Sequence, residues 1–385
     1  MDRWCDDQLS LDPAVPLDVA ARALPARWAV YLMRDEAGRP VQLLSVRNLR
    51  ASVKRRLGEP VEPGVSKRID YRSLVRQICW KRVDSAFESD LVYLQVAKDI
   101  FPDSYQRITH WRRPWFVNID LSARFPRWLR TDEPDAAAGE LFGPIAEKGQ
   151  AQKLVETIED LFDLCRYYHI LQQAPSGVAC PYKDMGKCPA PCDGSVSMQQ
   201  YQQLLTWSLK TLRNPQPEID SQGERMKTAA AELRFELAGK IKQFSDGLGS
   251  LRKGDWRFVR PLADFRYLSL QRGPSKGTVK LFSVTPAGST CVACLLREPR
   301  ELMLYLNDLP ALQSPVTNTT VNSELLNVAC KHLFWNKSGG VFLHGSDLTE
   351  RSIATACRQL SKQAPSPAEA DEENDDEGVV AELHS

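Results

Sequence analysis

Four cysteines lie within a short stretch in the middle of the chain, separated by 14, 7 and 3 residues: Cys165, Cys180, Cys188 and Cys192. Thiolates gathered this densely are ligands for a soft metal, because converging sulfurs satisfy tetrahedral zinc or the corners of an iron–sulfur cluster. Three prolines between Cys180 and Cys192 interrupt any helix and predict a loop-like backbone. The spacing alone leaves zinc and iron–sulfur both open.

The composition is typical of a folded soluble protein of two or three domains, with 385 residues, 43% of them hydrophobic and 8% aromatic. We find no apolar run of about 18 residues and no leading basic-then-apolar segment, which predicts no membrane partner and a cytoplasmic location. In that compartment the 10 cysteines are expected to be reduced and partly bound to metal.

The net charge of +1 hides an asymmetry along the chain. The last 24 residues carry eight acidic residues against one lysine, so residues 1–361 have a net charge of +8. Residues 47–82 alone have eleven Lys or Arg against three acidic residues. Basic surface attracts phosphate backbones through counterion release. On charge alone, nucleic-acid binding and a merely solvated basic face both remain open.

The elements of the first 130 residues predict a small α/β unit after a poorly ordered lead-in over residues 1–25. Two apolar runs flank a DEAG turn between Trp28 and Val46, which predicts a β-hairpin with Gly38 in the turn. The segments that follow predict a short basic helix, a helix turning into a strand, a helix and a further strand: 47–57, 66–83, 85–101 and 113–121.

After the cysteines, residues 197–214 have helical spacing, and a second helical stretch follows a break at 214–223. Its apolar residues recur mostly at three- and four-residue steps: Met226, Ala229, Ala230, Leu233, Ala238 and Ile241. Residues 252–361 predict a small α+β domain without an assigned function, and the acidic segment 362–385 predicts disorder. Cys291 and Cys294 form a CxxC, but their apolar neighbours predict a buried strand rather than a metal site.

Several segments resemble the UvrC family of bacterial excision-repair nucleases. AVYLMRDEAG followed by RNLR resembles the opening of its GIY-YIG nuclease domain. FESDLVYLQ, RPWFVNI, RFPRW and LFGPIAEKGQAQKLVETIEDLF follow in the family's order, and CPYKDMGKCPAPCDGSVSMQQY is the best match. MKTAAAELRFELA resembles the UVR motif, a helical hairpin through which UvrC pairs with UvrB, although an ordinary core helix remains an alternative.

The resemblance implies an α+β fold in successive parts, which continue with the C-terminal domain and tail given above. After the lead-in come a GIY-YIG-like domain, a cysteine cluster region with flanking helices, and a UVR-like hairpin: 26–130, 131–213 and 214–251. The family's cysteines imply a [4Fe–4S] cluster on the four cysteines, with zinc as the alternative. Partner binding is implied for one residue set: Met226, Leu233, Phe235 and Glu236.

GIY-YIG chemistry needs a tyrosine to activate water, a carboxylate for a divalent metal, and basic residues for the phosphoryl charge. The resemblance retains the first tyrosine as Tyr31 and places four replacements at the other positions: Gln42, Ser45, Ser52 and Gln95. Gln95 supplies no anionic oxygen, so Mg²⁺ is expected only if the site is active after all. A shifted alignment would restore Glu88 or Asp90 as the ligand.

Three hypotheses therefore compete. The first is a UvrC-like protein of nucleotide excision repair that binds DNA, a UvrB-like protein or both without cleaving. The second is an active structure-specific endonuclease, and the third a metal-bound nucleic-acid-binding scaffold unrelated to excision repair. The basic residues expected on the DNA face belong to one segment: Arg47, Arg50, Lys54, Arg55 and Arg56.

Overall fold

The structure is a computed structural model that describes residues 4–58, 71–109, 112–307, 321–335 and 340–362. It has a mixed α/β architecture, with three four-stranded antiparallel sheets in these ranges. The predicted acidic tail, apart from Lys362, lies outside the described residues, as does the segment 59–70 of the basic region.

The strands are β1 (Asp7–Ser10), β2 (Ala29–Arg34), β3 (Pro40–Val46), β4 (Gln77–Arg82), β5 (Trp115–Ile119), β6 (Trp128–Thr131), β7 (Glu140–Ile145), β8 (Arg260–Pro261), β9 (Tyr267–Arg272), β10 (Thr278–Thr285), β11 (Gly288–Leu296) and β12 (Val341–His344). The α-helices are α1 (Leu17–Ala20), α2 (Leu49–Leu57), α3 (Tyr71–Leu74), α4 (Ala86–Ile100), α5 (Tyr105–Ile108), α6 (Lys148–Leu161), α7 (Tyr168–Leu171), α8 (Met198–Arg213), α9 (Gln216–Ala231), α10 (Phe235–Ser250), α11 (Pro299–Asn307), α12 (Ser323–Phe334) and α13 (Glu350–Lys362).

The N-terminal sheet has the order β1-β4-β2-β3 and is covered on both faces. The predicted hairpin is confirmed as β2–β3, with Gly38 at φ +76° in its turn. The predicted helices are confirmed as α2, capped by the Asn48 side chain, and α4, capped by Ser85. Because successive strand residues point to opposite faces, Tyr31 faces the α2 side whereas Leu32 faces α4.

The prediction of a poorly ordered lead-in is wrong for residues 7–10. These residues form β1 and pair with β4 from Asp7↔Trp80 to Ser10↔Gln77. Leu9 and Leu11 pack against the core on the α2 side. Paired backbone groups and two packed leucines thus hold a segment whose short, polar sequence gives a weak strand signal.

The middle sheet has the order β6-β5-β7-β8, and its core includes α6, α8 and α10. The prediction that the first unit continues to residue 130 conflicts with this sheet. Strand β5 pairs with both β6 and β7, so residues 115–131 belong to the middle sheet rather than to the N-terminal one. Strand β8, which follows α10 in the chain, pairs with β7 in the same sheet.

Helices α9 and α10 form a tightly packed pair joined by residues 232–234. Leu233 has φ +58° in this turn, so the chain reverses there and the apolar spacing does not continue as one helix. Of the six residues in the predicted stripe, only Ala229 and Ile241 are buried.

The C-terminal sheet has the order β11-β10-β9-β12. Helix α12 packs on one face and helices α11 and α13 on the other. Strand β11 confirms the predicted strand around the CxxC, but the prediction that it is buried is wrong. Cys291 and Cys294 are exposed, because β11 lies at the sheet edge.

Candidate functional site

Tyr31, which the resemblance predicts to be the catalytic tyrosine, is fully buried beneath α2. Its hydroxyl lies 3.0 Å from Ser52 Oγ. Burial raises the pKa of Tyr31 to about 12, and the nearby charges of Arg55 and Arg56 only partly offset this effect. A hydroxyl that is shielded from water and disfavoured as an anion is poorly placed to activate a water molecule.

Gln42 lies on the same face of the sheet and is also fully buried. Arg56 Nη1 donates to Gln42 Oε1 at 3.4 Å, while Gln42 Nε2 and Arg56 Nε have no hydrogen-bond partner. Arg56 also lowers the pKa of Tyr31, through its charge and a hydrogen bond. Tyr31, Gln42, Ser52 and Arg56 thus form a closed polar group, the Tyr31 cluster. Its members offer no carboxylate to a metal.

The two remaining replaced positions lie elsewhere. Ser45 Oγ is 2.6 Å from Ser89 Oγ, on the α4 side of the sheet. Gln95 is exposed on α4. The structure therefore brings Tyr31, Gln42 and Ser52 together and separates them from Ser45 and Gln95.

The carboxylates of the shifted alignment are engaged by the C-terminal sheet and helix α12. Lys280 Nζ on β10 lies 2.6 Å from Glu88 Oε1 and 2.5 Å from Asp84 Oδ2. The Asp90 carboxylate contacts Lys331 Nζ at 2.9 Å and the His332 ring at 2.6 Å. These six residues form what we call the α4 charge cluster.

Asp90 is held ionised within this cluster. Burial alone would raise the pKa of Asp90, yet the hydrogen bond from His332 and the charge of Lys331 lower it below its usual range. Neither Glu88 nor Asp90 is thus available to a metal without giving up a cation from the C-terminal half.

The basic residues expected on a DNA face have partners within the chain. Arg47 stacks over Trp28 at 5.5 Å, and Arg50 Nε donates to the Leu24 carbonyl at 2.8 Å. Lys54 pairs with Asp18 at 2.7 Å, and Arg56 belongs to the Tyr31 cluster. Arg47 and Arg55 are the exposed members of the set.

The cysteine loop, residues 165–192, buries three of its four thiols and half-buries Cys180. The Cys165 and Cys188 thiols are hydrogen-bonded, which raises the pKa of Cys165 and lowers that of Cys188. The Cys192 thiol is close enough to raise the pKa of Cys165 further.

Polar contacts fold the cysteine loop back on itself. Lys183 Nζ pairs with Asp193 at 2.6 Å, and Arg166 Nη1 donates to the Lys187 carbonyl at 2.9 Å. In the described part of the chain, no group of three or more His, Cys, Asp or Glu side chains is placed to hold a metal ion. The donor chemistry of four thiols suits a soft metal, whereas the described arrangement does not bring three of them together.

The four residues expected to bind a partner cluster around the tip of the α9–α10 hairpin. Leu233 is 74% exposed and Phe235 is 66% exposed. Glu236 is also exposed, and Met226 is half-buried on α9. An exposed leucine and phenylalanine at the end of a hairpin form a small apolar surface that other described elements leave uncovered.

The comparisons with known proteins bear on the middle of the chain. A family model described as the UvrC/Cho excinuclease middle domain matches residues 115–210, from β5 through most of α8. UvrABC system protein C of Trichlorobacter lovleyi is 26% identical over 223 residues, which is 57% of this chain and 36% of that protein. The chain is a relative of the UvrC family.

Further UvrC relatives match to a similar extent. UvrABC system protein C of Chlorobium luteolum is 25% identical over 244 residues, covering 60% of this chain and 37% of that protein. The protein of Gloeobacter violaceus is 26% identical over 242 residues, covering 59% and 36%. The chain thus spans little more than a third of the length of these relatives. No solved structure matches it.

The middle-domain match contains all four cysteines of the cysteine loop. Among the helices of the described residues, none combines the length and apolar character that crossing a membrane requires.

Sequence reasoning did not find the cations of the α4 charge cluster. Lys280 and Glu88 are 192 residues apart, and no local periodicity connects them. The available signal was chemical: Lys280 is the one charged residue in the strand TVKLFSVT. A lysine that faces the core side of a strand needs a buried carboxylate partner.

Proposed function

We propose that the chain is a UvrC-like protein of nucleotide excision repair that binds DNA, a UvrB-like protein or both, without cleaving DNA. The observation that carries the proposal is the closed Tyr31 cluster. A hydrolytic site needs an accessible tyrosine and an anionic metal ligand, whereas Tyr31 is buried against Ser52 and Gln42. DNA binding would then rest on exposed basic residues such as Arg47 and Arg55.

A GIY-YIG-like fold for the N-terminal unit is part of this proposal. In support, a β2–β3 hairpin leads directly into the basic helix α2, in the order that the family pattern places its hairpin and helix. Strand β4 then pairs beside β2, and α4 covers the opposite face from α2. The proposed loss of cleavage thus concerns the side chains and not the scaffold.

An incision assay tests the central claim. Protein purified without oxygen is added to a damaged duplex loaded with UvrA and UvrB, with Mg²⁺ or Mn²⁺. We expect no incision together with retained binding. Incision that disappears in the double variant E88A/D90A would overturn the proposal and favour the active endonuclease.

Because Glu88 and Asp90 form ion pairs, that double variant needs a matched control. The variant K280M/K331M breaks the same ion pairs but keeps both carboxylates. Incision lost in E88A/D90A and retained in K280M/K331M would identify the carboxylates as metal ligands. Loss in both variants would identify a structural effect of the α4 charge cluster.

The hairpin tip is the proposed contact for a UvrB-like partner. Phe235→Asp places a charge on a side chain that is 66% exposed, so the fold should persist while an apolar contact is lost. We expect binding to a UvrB C-terminal peptide to weaken at least about tenfold. Lys242→Asp, on an exposed position of the same helix away from the tip, is the control. Unchanged binding by the Phe235 variant would favour a scaffold unrelated to excision repair.

We further propose that Cys165, Cys180, Cys188 and Cys192 hold a [4Fe–4S] cluster, with zinc as the alternative. Such a group would tie the cysteine loop together. Support comes from three buried thiols and the Cys165–Cys188 contact. Iron and acid-labile sulfide should be found in protein purified without oxygen and should fall in C188S, but not in the buried-cysteine control C330S. Stoichiometric zinc would select the alternative.

A further inference from the structure

A cavity of about 580 Å³ lies where the cysteine loop meets the helical hairpin. Its size falls within the range of about 300–1,000 Å³ that is usual for small-molecule sites. The walls come from the end of α6, from residues 186–189 of the cysteine loop, and from α8, α9 and α10. Five elements of the chain thus converge on a space that none of the proposed functions uses.

The floor of the cavity is aromatic. Phe162 and Trp207 are in edge contact, with ring centroids 4.7 Å apart, and Trp207 and Phe244 are 5.7 Å apart at an interplanar angle of 32°. Trp207 Nε1 donates to Glu218 Oε2 at 3.1 Å, which fixes the orientation of the indole. A preorganised indole and phenyl ring offer stacking surface to a planar ligand.

Two cations stand beside these rings. Arg225 on α9 and Lys240 on α10 both line the cavity and are otherwise exposed. Arg225 Nη1 donates to Gln222 Oε1 at 3.1 Å. Within the described ranges neither cation forms an ion pair. Adjacent cations without a carboxylate partner favour an anionic group, and a guanidinium suits a phosphate.

Asp163 supplies an acceptor at the end of α6. It has φ +49°, a backbone conformation that few residues other than glycine adopt and that is often retained at ligand sites. Its Oδ1 atom is buried without a hydrogen-bond partner, 3.8 Å from Lys187 Nζ, although half of the side chain is exposed. The exposed part of this carboxylate can accept a hydrogen bond from a ligand that carries N–H donors.

We propose that this cavity binds a nucleotide. The base stacks on Trp207 and Phe244, the phosphate lies on Arg225 and Lys240, and Asp163 accepts hydrogen bonds from the base edge. Guanine is the preferred base, because its N1–H and N2–H₂ groups are donors to a carboxylate, whereas N1 of adenine is an acceptor. The nucleotide is either free or part of a DNA strand. The proposal does not depend on UvrB binding or on the state of the Tyr31 cluster.

The test is a titration of the full chain, purified without oxygen because Cys188 lines the cavity, with GMP, IMP and AMP at low salt. GMP should bind at least about tenfold more tightly than AMP, with IMP between them. The variant R225M/K240M should lose at least about tenfold in affinity for all three nucleotides. D163N should remove the guanine preference while keeping the backbone conformation, since Asn tolerates positive φ well.

Matched controls are K242M and D246N, which change the same residue types at exposed positions of α10 outside the cavity. They should leave nucleotide binding unchanged, and circular dichroism should show that every variant is folded. Equal affinity for GMP, IMP and AMP, or binding that survives R225M/K240M, would overturn the proposal.

A competition experiment identifies the source of the nucleotide. A short single-stranded oligonucleotide containing one guanine should displace GMP if the cavity takes a base from DNA, and it should fail to do so if the site takes free nucleotide. No GMP binding at millimolar concentration, together with no guanine-dependent oligonucleotide binding, would refute the proposal. General duplex binding measured in the same samples tests the proposed function separately.

Discussion

The Tyr31 hydroxyl has a structural role in this chain. It donates or accepts one hydrogen bond, with Ser52, in an environment without access to substrate. Gln42 and Ser52 belong to the same polar group, through hydrogen bonds to Arg56 and Tyr31 respectively. The cluster is only partly satisfied, since Gln42 Nε2 and Arg56 Nε have no hydrogen-bond partner, and it offers no carboxylate to a cation.

Tyr31→Phe should therefore change stability and not activity. The variant loses one buried hydrogen bond, so we expect a destabilisation of about 1 kcal/mol in urea unfolding. Tyr93→Phe is the matched control, since the Tyr93 hydroxyl is buried without any hydrogen-bond partner. Its removal should be neutral or stabilising. Equal destabilisation by both substitutions would show that the Ser52 contact contributes nothing.

His344 gives a second prediction at this scale. Burial lowers the pKa of His344, and the hydrogen bond between its Nε2 and the Asp264 carbonyl offsets this effect only in part. Near pH 6.5 the unfolded chain therefore binds a proton that the folded chain does not bind. The free energy of unfolding thus decreases as pH falls below that value. His344→Gln should flatten the stability curve between pH 7 and 5, by at most about 1.4 kcal/mol per pH unit. Identical curves for the two proteins would contradict this account.

At the scale of elements, α4 is the helix on which the two halves of the chain meet. Its carboxylates face cations on β10 and α12, and Phe87 packs edge-on against Phe282, His332 and Phe342. In a functioning metal site these carboxylates would be free for the ion. In this chain they contribute instead to the packing of the C-terminal sheet.

Lys280→Met should destabilise the chain by about 3 kcal/mol, because it leaves the Asp84 and Glu88 carboxylates unpaired. Their side chains are only 18% and 15% exposed, so water replaces the lost cation poorly. Lys98→Met is the control: it removes another ion pair between α4 and α12, at side chains that are 41% and 30% exposed. That change should cost less than about 1 kcal/mol in the same urea titration. Similar values for the two variants would mean that the buried pairs give no net stabilisation.

Local signals in the sequence predict much of the N-terminal unit. Apolar runs around Gly38 predict the hairpin, and the caps Asn48 and Ser85 begin the helices that the periodicity indicates. The errors arise where tertiary contacts override local pattern. Strand β1 depends on pairing with β4, and the turn at Leu233 divides an apolar spacing that reads as continuous.

At the scale of the whole molecule, the candidate site also has some features that the sequence predicts and others that it does not. The spacing of the cysteines and the residue types at the predicted site positions can be read from the sequence, because each depends on residue identity alone. The α4 charge cluster and the nucleotide cavity cannot, since their residues come from distant segments: Glu88 with Lys280, and Asp163 with Arg225 and Lys240. Only the folded chain brings these groups within range of one another.

The distribution of charge over the whole chain gives the last prediction. Residues 363–385 contain eight acidic residues and no Lys or Arg, so a chain ending at Lys362 has a much higher net positive charge. Its affinity for duplex DNA should rise several-fold at about 50 mM salt and should lose that advantage at about 500 mM, because long-range repulsion from the removed carboxylates is screened. Fluorescence anisotropy with two unrelated duplex sequences measures both effects. A charge-neutral variant with all eight acidic residues changed to Asn or Gln controls for chain length and should behave like the truncated chain. If the truncated and full-length chains bind equally at low salt, the basic surface is merely solvated, and the DNA contact has to be sought at specific residues instead.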